Sequence, residues 1–358
     1  MPLDLRTQKL AKLVVKYSVF VKPGENVVIS GGTESQDFLL ALYKEVLLAK
    51  AHPILRVIIP GTTEFFYKNA NKEQLEKFPE HFDFTVKNAQ KYIGVLTENN
   101  TRELTNCNPK RMTSRAKITH PISEYICNAK PKIYRCTVGF PCQALAQEAD
   151  MSLQEYEKFV YGACLQDWKK LGKKMDEIKS RFKKNSNVHL IGEGIDLKMR
   201  VHGHLAVADK GEENMPGGEV FMAPVRDSLE GWIKFDYPAI RDGKEVTDIF
   251  VKFSKGRAIE IKSTKNQDFL IEMLSTDENA SYVGELGIGC NPKVNRFSKE
   301  LLFDEKIGGT IHLAFGAAYK ENGAGNDSAI HWDIVKSMKN AKIILDDKII
   351  QENGEWKV

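Results

Sequence analysis

The chain has 358 residues, of which 42% are hydrophobic and 28% are charged, as in an ordinary globular protein that is long enough for two domains. Its 52 basic and 48 acidic side chains leave a net charge of only +4, and no block of lysines and arginines with interleaved aromatic residues appears, which argues against a nucleic-acid-binding protein. No apolar run approaches the length of a transmembrane helix, so we expect no membrane-spanning segment.

The first half of the chain alternates helix and strand patterns. Apolar side chains at helical spacing before residue 20 predict an N-terminal helix, and a second helix is predicted after the first strand. Short apolar runs predict strands at residues 26–30, 54–59, 92–96 and 133–138. Because strands that alternate with helices form βαβ units, we expect a mainly parallel sheet in this half.

The pattern changes after a predicted long helix. Ser152 and Glu155 form a capping box that predicts the start of this helix, which we expect to run toward Lys184. Beyond it, residues 188–201 and 249–261 alternate apolar and polar side chains, as half-exposed antiparallel strands do.

These patterns predict the α/β class with two domains. We expect residues 1–185 to form an α/β domain with a mainly parallel sheet. We expect residues 186–358 to form an α+β domain with a largely antiparallel sheet, which includes a polar turn at residues 241–244.

The cysteines indicate a reducing compartment. They are scattered along the chain without a C-x-x-C pair, at Cys107, Cys127, Cys136, Cys142, Cys164 and Cys290. The N-terminal residues also lack the apolar core and the small-residue cleavage site of a secretory signal. We therefore predict a cytoplasmic protein with reduced thiols.

Candidate ligands for a metal are concentrated in the second half. His331 and Asp333 are two residues apart, so on a strand their side chains project from the same face. An imidazole and a carboxylate together suit a divalent metal. A surface histidine beside a surface aspartate is the simpler alternative, but the apolar residues around this pair argue against it.

Three more polar residues lie in apolar or glycine-rich segments. Glu219 and Glu285 are flanked by glycines and apolar residues, where a carboxylate is costly unless it is paired or binds a metal. His312 stands in a similar run, where a hydrogen-bonded core histidine is the common alternative. Tyr319 follows seven residues later, and would share a helical face with His312 if this segment were a helix.

Four segments together resemble the M29 metallopeptidases, the thermophilic-aminopeptidase family. They are MPGGEVFMAP (215–224), GELGIG (284–289), HLAFGAAY (312–319) and SAIHWD (328–333). The combination is more specific than any one of them, and KPGENVVI near the N-terminus fits as well, so the resemblance covers most of the chain. The links between these segments are shorter than in many members of the family. We expect this difference to change the substrate preference and the shape of the pocket more than the metal site.

The resemblance implies an aminopeptidase that removes the N-terminal residue of a peptide through a metal-activated water. It implies two divalent ions, zinc or cobalt, with manganese or magnesium as alternatives, and a homodimer. The implied metal ligands are Glu219, Glu285, His312, His331 and Asp333. The resemblance also implies that Tyr319 lies beside the metals. Our candidate for the general base is Glu285, and we expect Tyr319 to donate a hydrogen bond to the oxyanion.

Other functions fit some of the same residues. His312, His331 and Asp333 form a 2-His-1-carboxylate set, which would suit an Fe(II)-dependent ring-cleaving dioxygenase of the dihydroxypyridine dioxygenase type. A metal-binding scaffold without catalysis is a third possibility. His202 and His204 would share a strand face, but no carboxylate nearby completes a ligand set, so we expect them to line the substrate cleft.

Overall fold

The computed structural model describes residues 3–241, 243–319, 322–323 and 326–357, which form two compact units. The first unit contains the described residues up to Gln166 together with Gly211–Gly217, and the second contains Asp167–Lys210 and the chain from Gly218 onward. The predicted domains 1–185 and 186–358 stay a prediction, because compact units and independently folding domains are different properties.

Helices occur in both units. In chain order they are α1 (Leu5–Leu13), α2 (Gln36–Leu48), α3 (Thr62–Asn69), α4 (Lys72–Glu76), α5 (Glu80–Lys87), α6 (Pro109–Asn128), α7 (Gln143–Glu148), α8 (Leu153–Cys164), α9 (Trp168–Arg181), α10 (Gln267–Leu274) and α11 (Leu301–Asp304). Across the described residues, no helix combines the length and the hydropathy needed to cross a membrane.

Strands occur in both units, and most of them belong to the second. In chain order they are β1 (Asn26–Gly32), β2 (His52–Ile58), β3 (Lys91–Leu96), β4 (Tyr134–Gly139), β5 (Lys184–Gly192), β6 (Ile195–His202), β7 (Val207–Asp209), β8 (Asn214–Met215), β9 (Glu219–Met222), β10 (Glu230–Lys234), β11 (Ala239–Arg241), β12 (Lys244–Val246), β13 (Phe250–Ser254), β14 (Arg257–Lys262), β15 (Val283–Gly289), β16 (Thr310–Gly316), β17 (His331–Ser337), β18 (Ala341–Leu345), β19 (Lys348–Glu352) and β20 (Glu355–Trp356).

The first unit contains a five-stranded parallel sheet in the order β2-β1-β3-β4-β8. Val27, Val28 and Ile29 of β1 are fully buried, as expected for an inner strand covered on both faces. The four strands predicted in this half correspond to β1–β4, which confirms the α/β fold class with a parallel sheet.

The prediction of one continuous helix from Ser152 toward Lys184 is wrong, because two helices occupy this segment. The capping box exists, since Ser152 Oγ accepts a hydrogen bond from the Glu155 amide while the Glu155 carboxylate accepts one from the Ser152 amide. The helix that starts there, α8, ends before a second helix, α9, begins. Asp167 caps α9 by accepting a hydrogen bond from the Lys170 amide at 3.0 Å, so a local N-cap interrupts the run predicted to reach Lys184.

The second unit is built from antiparallel strands, as predicted. An eight-stranded sheet has the order β14-β13-β10-β6-β5-β18-β19-β20, and a five-stranded sheet the order β17-β16-β15-β9-β7. Strands β11 and β12 pair with each other on either side of the predicted turn at 241–244, of which Asp242 lies outside the described residues.

The five-stranded sheet of the second unit has an apolar face. Ile311, Leu313 and Phe315 alternate along β16 and are fully buried. The ring of Phe315 stacks on Phe253 of the eight-stranded sheet, with 5.9 Å between centroids. Because side chains alternate across a strand, the intervening residues of β16 project from the opposite face, where the predicted ligands lie.

Candidate metal centre

Three neighbouring strands bring four of the predicted ligands to one face of the five-stranded sheet. Glu285 on β15 lies opposite Ala314 on β16, which in turn lies opposite Asp333 on β17. His312 precedes Ala314 by two residues and His331 precedes Asp333 by two, so both imidazoles belong to the same face. The prediction that His331 and Asp333 lie on one strand is therefore correct.

The fifth predicted ligand enters from β9, and a glycine on the neighbouring strand makes room for the ring of His312. Glu219 on β9 pairs with Gly289, and Gly287 pairs with His312. A Cβ atom at Gly287 would lie 1.9 Å from Nε2 of His312. The imidazole thus lies directly across the backbone of residue 287, where any side chain would displace the ring.

His312 Nε2 is surrounded by carboxylates. It lies 3.2 Å from Oε1 of Glu285, 3.4 Å from Oε2 of Glu219 and 3.9 Å from Oδ1 of Asp333. Among the described residues, Oε2 of Glu219, Oε2 of Glu285 and Oδ1 of Asp333 have no hydrogen-bond partner although they are buried. Buried carboxylates that surround an imidazole nitrogen and keep oxygens without donors are what a metal-binding cluster requires.

His331 is oriented for ligation by its second nitrogen. Its Nδ1 lies 2.8 Å from the Ala317 carbonyl oxygen, to which the N–H donates. This hydrogen bond leaves Nε2 as the ligand atom, 3.4 Å from Oδ2 of Asp333. Fixing the tautomer of a ligand histidine through a backbone carbonyl is common in metal sites.

The ligand atoms converge in overlapping groups, in each of which they lie within 4.8 Å of one another. The groups are Glu219, Glu285 and His312; Glu285, His331 and Asp333; and Glu305, His312 and Asp333. The first two groups use the five residues predicted from the sequence, and Glu285 belongs to both. Imidazole nitrogens with carboxylate oxygens suit zinc and similar divalent ions, so the residues present fit such a cation.

Burial and charge make this cluster hold protons when no cation is bound. Burial raises the pKa of Glu219 to about 8, against the opposing effect of the Lys306 ammonium. Burial alone would lower the pKa of His312, but the carboxylates of Glu285, Glu219 and Asp333 raise it to about 9. A divalent cation that binds here near neutral pH therefore displaces protons from these groups.

Two charged residues at the site, Lys306 and Glu305, were not predicted from the sequence. Lys306 is fully buried, and its Nζ lies 2.7 Å from Oε1 of Glu219, donates to Glu305 and lies 3.8 Å from Oδ2 of Asp209. Burial alone would lower the pKa of Lys306, but these carboxylates raise it above its usual range. The sequence did contain an indication of these two residues, because charged residues stand immediately before the apolar segment that contains His312.

Tyr319 reaches the site from a loop. His312 lies on a strand, so the helical spacing considered for the two residues does not apply. The Tyr319 ring lies 5.4 Å from the ring of His331 and 5.9 Å from that of Phe221, between centroids, and 47% of the residue stays exposed. Desolvation of the hydroxyl and the nearby carboxylates raise the pKa of Tyr319, so the phenol keeps its proton at neutral pH.

His202 and His204 lie outside the candidate groups found among the described residues. Their rings are 6.3 Å apart, at the end of β6 and in the turn after it. Burial and the neighbouring His204, Lys184 and Arg200 lower the pKa of His202. Their role in lining a substrate cleft stays a prediction.

The fold and the ligand groups define a mixed α/β protein with a candidate centre for divalent metal. Residues 3–356 match the model of the thermophilic metalloproteases of family M29, so the chain belongs to this metallopeptidase family. Membership of a metalloprotease family implies that the protein uses a divalent metal.

Known relatives agree with this membership. Aminopeptidase AmpS from Bacillus subtilis (strain 168) is 26% identical over 383 residues, which cover 95% of this chain and 92% of that protein. The structure of wild-type AmpT from Thermus thermophilus matches with a TM-score of 0.84 and 22% identity over 99% of both chains. The predicted resemblance to the M29 metallo-aminopeptidases is thus confirmed.

The alternative family is a more distant structural neighbour. The structure of 2,5-dihydroxypyridine dioxygenase from Pseudomonas putida KT2440 matches with a TM-score of 0.61 and 14% identity, over 98% of this chain and 97% of that one. This likeness shows a shared fold. In the part of the chain that the structure describes, no ligand group contains both histidines, as a 2-His-1-carboxylate site would require.

The close approach at Gly287 gives a direct test of the cluster. We expect Gly287→Ala to displace the His312 ring and to weaken metal binding by at least about tenfold, since ligand orientation is lost. The measurement is metal bound per chain after dialysis, with circular dichroism to verify folding. Gly94→Ala is the matched control, because a Cβ at this strand glycine would meet Tyr92 at an ordinary 3.6 Å. Full metal binding by Gly287→Ala would contradict the placement of His312.

Proposed function

We propose that the protein is an aminopeptidase that hydrolyses the first peptide bond of substrates with a free N-terminus at a two-metal site. The observation that carries the proposal is the membership of Glu285 in two ligand groups, one with Glu219 and His312 and one with His331 and Asp333. A carboxylate common to two groups supports a pair of ions rather than one. We propose zinc or cobalt, for which nitrogen and oxygen ligands are suitable.

The chemistry divides between the cations and the side chains. Divalent ions, when bound, lower the pKa of a bound water toward about 7 and so make a nucleophile available at neutral pH. Tyr319 keeps its proton, and we propose that it donates a hydrogen bond to the oxyanion that develops on the attacked carbonyl. The loop position of Tyr319 beside His331 supports this role.

Proton transfer requires a carboxylate close to the attacking water. We propose Glu285 for this role, in addition to its role as the ligand common to both groups. Glu305 is a further carboxylate of the cluster, since one of its oxygens belongs to the group with His312 and Asp333. A base must lie within hydrogen-bond reach of the proton it accepts.

The preference for a free amino terminus rests on the relatives, whose names describe them as aminopeptidases. We propose that the neutral α-amino group of the substrate, when both ions are bound, becomes a ligand of one of them. This contact would favour removal of a single N-terminal residue.

Substitutions should separate ligand, base and oxyanion donor. We expect Glu285→Gln to lower kcat about 100-fold or more and to reduce bound metal, because it removes a base and weakens a common ligand. We expect Tyr319→Phe to lower kcat about 100-fold with metal content unchanged, because only a hydrogen bond to the transition state is lost. Steady-state kinetics with metal analysis provides both values.

Tyr237→Phe is the control for loss of a phenol, since the ring of Tyr237 stacks on Phe297 and not on a ligand histidine, and this variant should keep full kcat. Loss of metal or of folding in Tyr319→Phe would make this phenol structural. Unchanged metal content in Glu285→Gln together with a large loss of kcat would leave Glu285 a base and remove it as a ligand.

Metal and oxygen dependence separate the peptidase from its alternatives. We expect chelation to abolish hydrolysis of aminoacyl-p-nitroanilides, Co²⁺ or Zn²⁺ to restore it, and the rate to be the same without oxygen. We expect about two ions per chain, and about one in Glu219→Ala. One iron per chain with oxygen-dependent turnover would indicate the dioxygenase, and bound metal without any turnover would indicate a scaffold.

We also propose a homodimer that forms through the edge of the parallel sheet. Strand β2 is the outer strand of this sheet, and Leu55, Val57 and Ile58 on it are exposed. An exposed apolar edge strand has unpaired backbone groups and is prone to pair with another chain. A second copy offers the same edge, which supports a symmetric interface.

Light scattering tests the dimer. We expect a mass about twice the 40.5 kDa of one chain, and a single-chain mass for Val57→Asp, because a charge in an apolar interface opposes association. Ile259→Asp is the matched control, since Ile259 is 57% exposed on the edge strand β14 and Val57 is 48% exposed on β2. A wild-type mass of one chain would contradict the dimer.

A cytoplasmic location is proposed from the thiols. Cys107, Cys127, Cys142 and Cys290 are free cysteines in the described structure. Reduced thiols are typical of proteins that work in a reducing compartment. Cell fractionation of the tagged protein tests the location, and recovery outside the cytoplasm would contradict it.

A further inference from the structure

Lys306 is a buried cation next to the ligand cluster. It is the second residue after the end of α11, and none of its surface is exposed. Its ammonium donates to Oε1 of Glu219 at 2.7 Å and to the carboxylate of Glu305, and it lies 3.8 Å from Oδ2 of Asp209. These three carboxylates come from separate segments of the chain, so one ammonium group ties them together.

The contact with Lys306 divides the two oxygens of Glu219 between different tasks. Oε1 accepts the hydrogen bond from Lys306. Oε2 lies 3.4 Å from Nε2 of His312 and has no hydrogen-bond partner among the described residues. One oxygen is therefore held by the lysine, while the other faces the ligand group that contains Glu285 and His312.

We propose that Lys306 is a positioning residue that holds Glu219 so that it binds the first metal ion through Oε2 alone. The first ion is the one in the group of Glu219, Glu285 and His312, and the second is the one in the group of Glu285, His331 and Asp333. The inference rests on the proposed two-metal function and adds a residue to it. Affinity for the first ion then depends on Lys306, and affinity for the second does not.

Two effects of the ammonium oppose each other. Its positive charge repels a divalent ion, so that removing the charge would by itself tighten binding. Its hydrogen bond fixes the orientation of a ligand, so that removing the bond weakens binding, typically by 10–100-fold when such a partner of a ligand is lost. Glu305 and Asp209 already compensate the lysine charge, so orientation is the larger effect.

The experiment is a titration of the metal-free, full-length chain with CoCl₂, followed by calorimetry and by the visible absorption of Co²⁺. We expect wild type to bind two ions. We expect Lys306→Met to bind one of them about 10–100-fold more weakly and the other within about threefold of wild type. The absorption band of the weakened ion should also change, because the orientation of Glu219 alters the coordination of that ion.

Controls separate orientation from charge and from stability. Lys306→Gln removes the charge but keeps an N–H donor for Glu219, so we expect a smaller loss of affinity than in Lys306→Met. Lys336→Met removes another buried lysine, which pairs with Asp236 at 2.8 Å, and should keep both affinities. Circular dichroism verifies the folding of each variant, and the Gln variant serves for the comparison if the Met variant does not fold.

The outcomes distinguish this inference from the function on which it rests. Fewer than two ions in wild type would overturn the two-metal function. Two ions in wild type with unchanged affinities and spectrum in the folded Lys306 variants would overturn the role of Lys306 alone. Tighter binding in Lys306→Met would also overturn it, because the ammonium would then act by repulsion rather than by orientation.

Discussion

Acidic side chains buried on one face of a β-sheet are the constraint on which this centre depends. Asp209, Glu219, Glu285 and Asp333 are almost completely buried, and Glu305 is half-buried. Carboxylates in such a place are costly unless positive charge compensates them. Lys306 supplies one positive charge, and two divalent ions would supply four more. The total of five positive charges would balance the five carboxylates. The balance supports the proposed pair of ions, and it explains why a lysine is buried among the ligands.

The same strands serve stability and chemistry on opposite faces. Along β16, Leu313 and Phe315 pack into the interior of the second unit, while His312 between its apolar neighbours faces the carboxylates. The apolar face fixes the backbone, and a fixed backbone sets the positions of the ligand atoms to within a fraction of an ångström. Tyr319 differs because it lies in a loop, where a side chain can adjust to a substrate.

Local patterns in the sequence predicted those features of the fold and of the site that are set by residues close together in the chain. The alternation of His331 and Asp333 predicted a common face, and short apolar runs predicted β1–β4 of the parallel sheet. Whether His312 lies on a helix or a strand could not be predicted, since a short apolar run with glycine and alanine suits both. The proximity of Lys306 to Glu219 depends on pairing between distant strands, which residue patterns do not encode. Family resemblance predicted the five candidate ligands but not this lysine, which lies outside the segments that carry the resemblance.

The pairing of Glu285, Ala314 and Asp333 across three neighbouring strands has a consequence for folding. Side chains alternate strictly across a strand, so a slip of one residue in the pairing of β16 would turn His312 toward the interior and Leu313 toward the carboxylates. A sheet with this error could not assemble either ligand group. A cation bound at these groups would therefore stabilise the sheet in the observed register relative to a sheet with a shifted register.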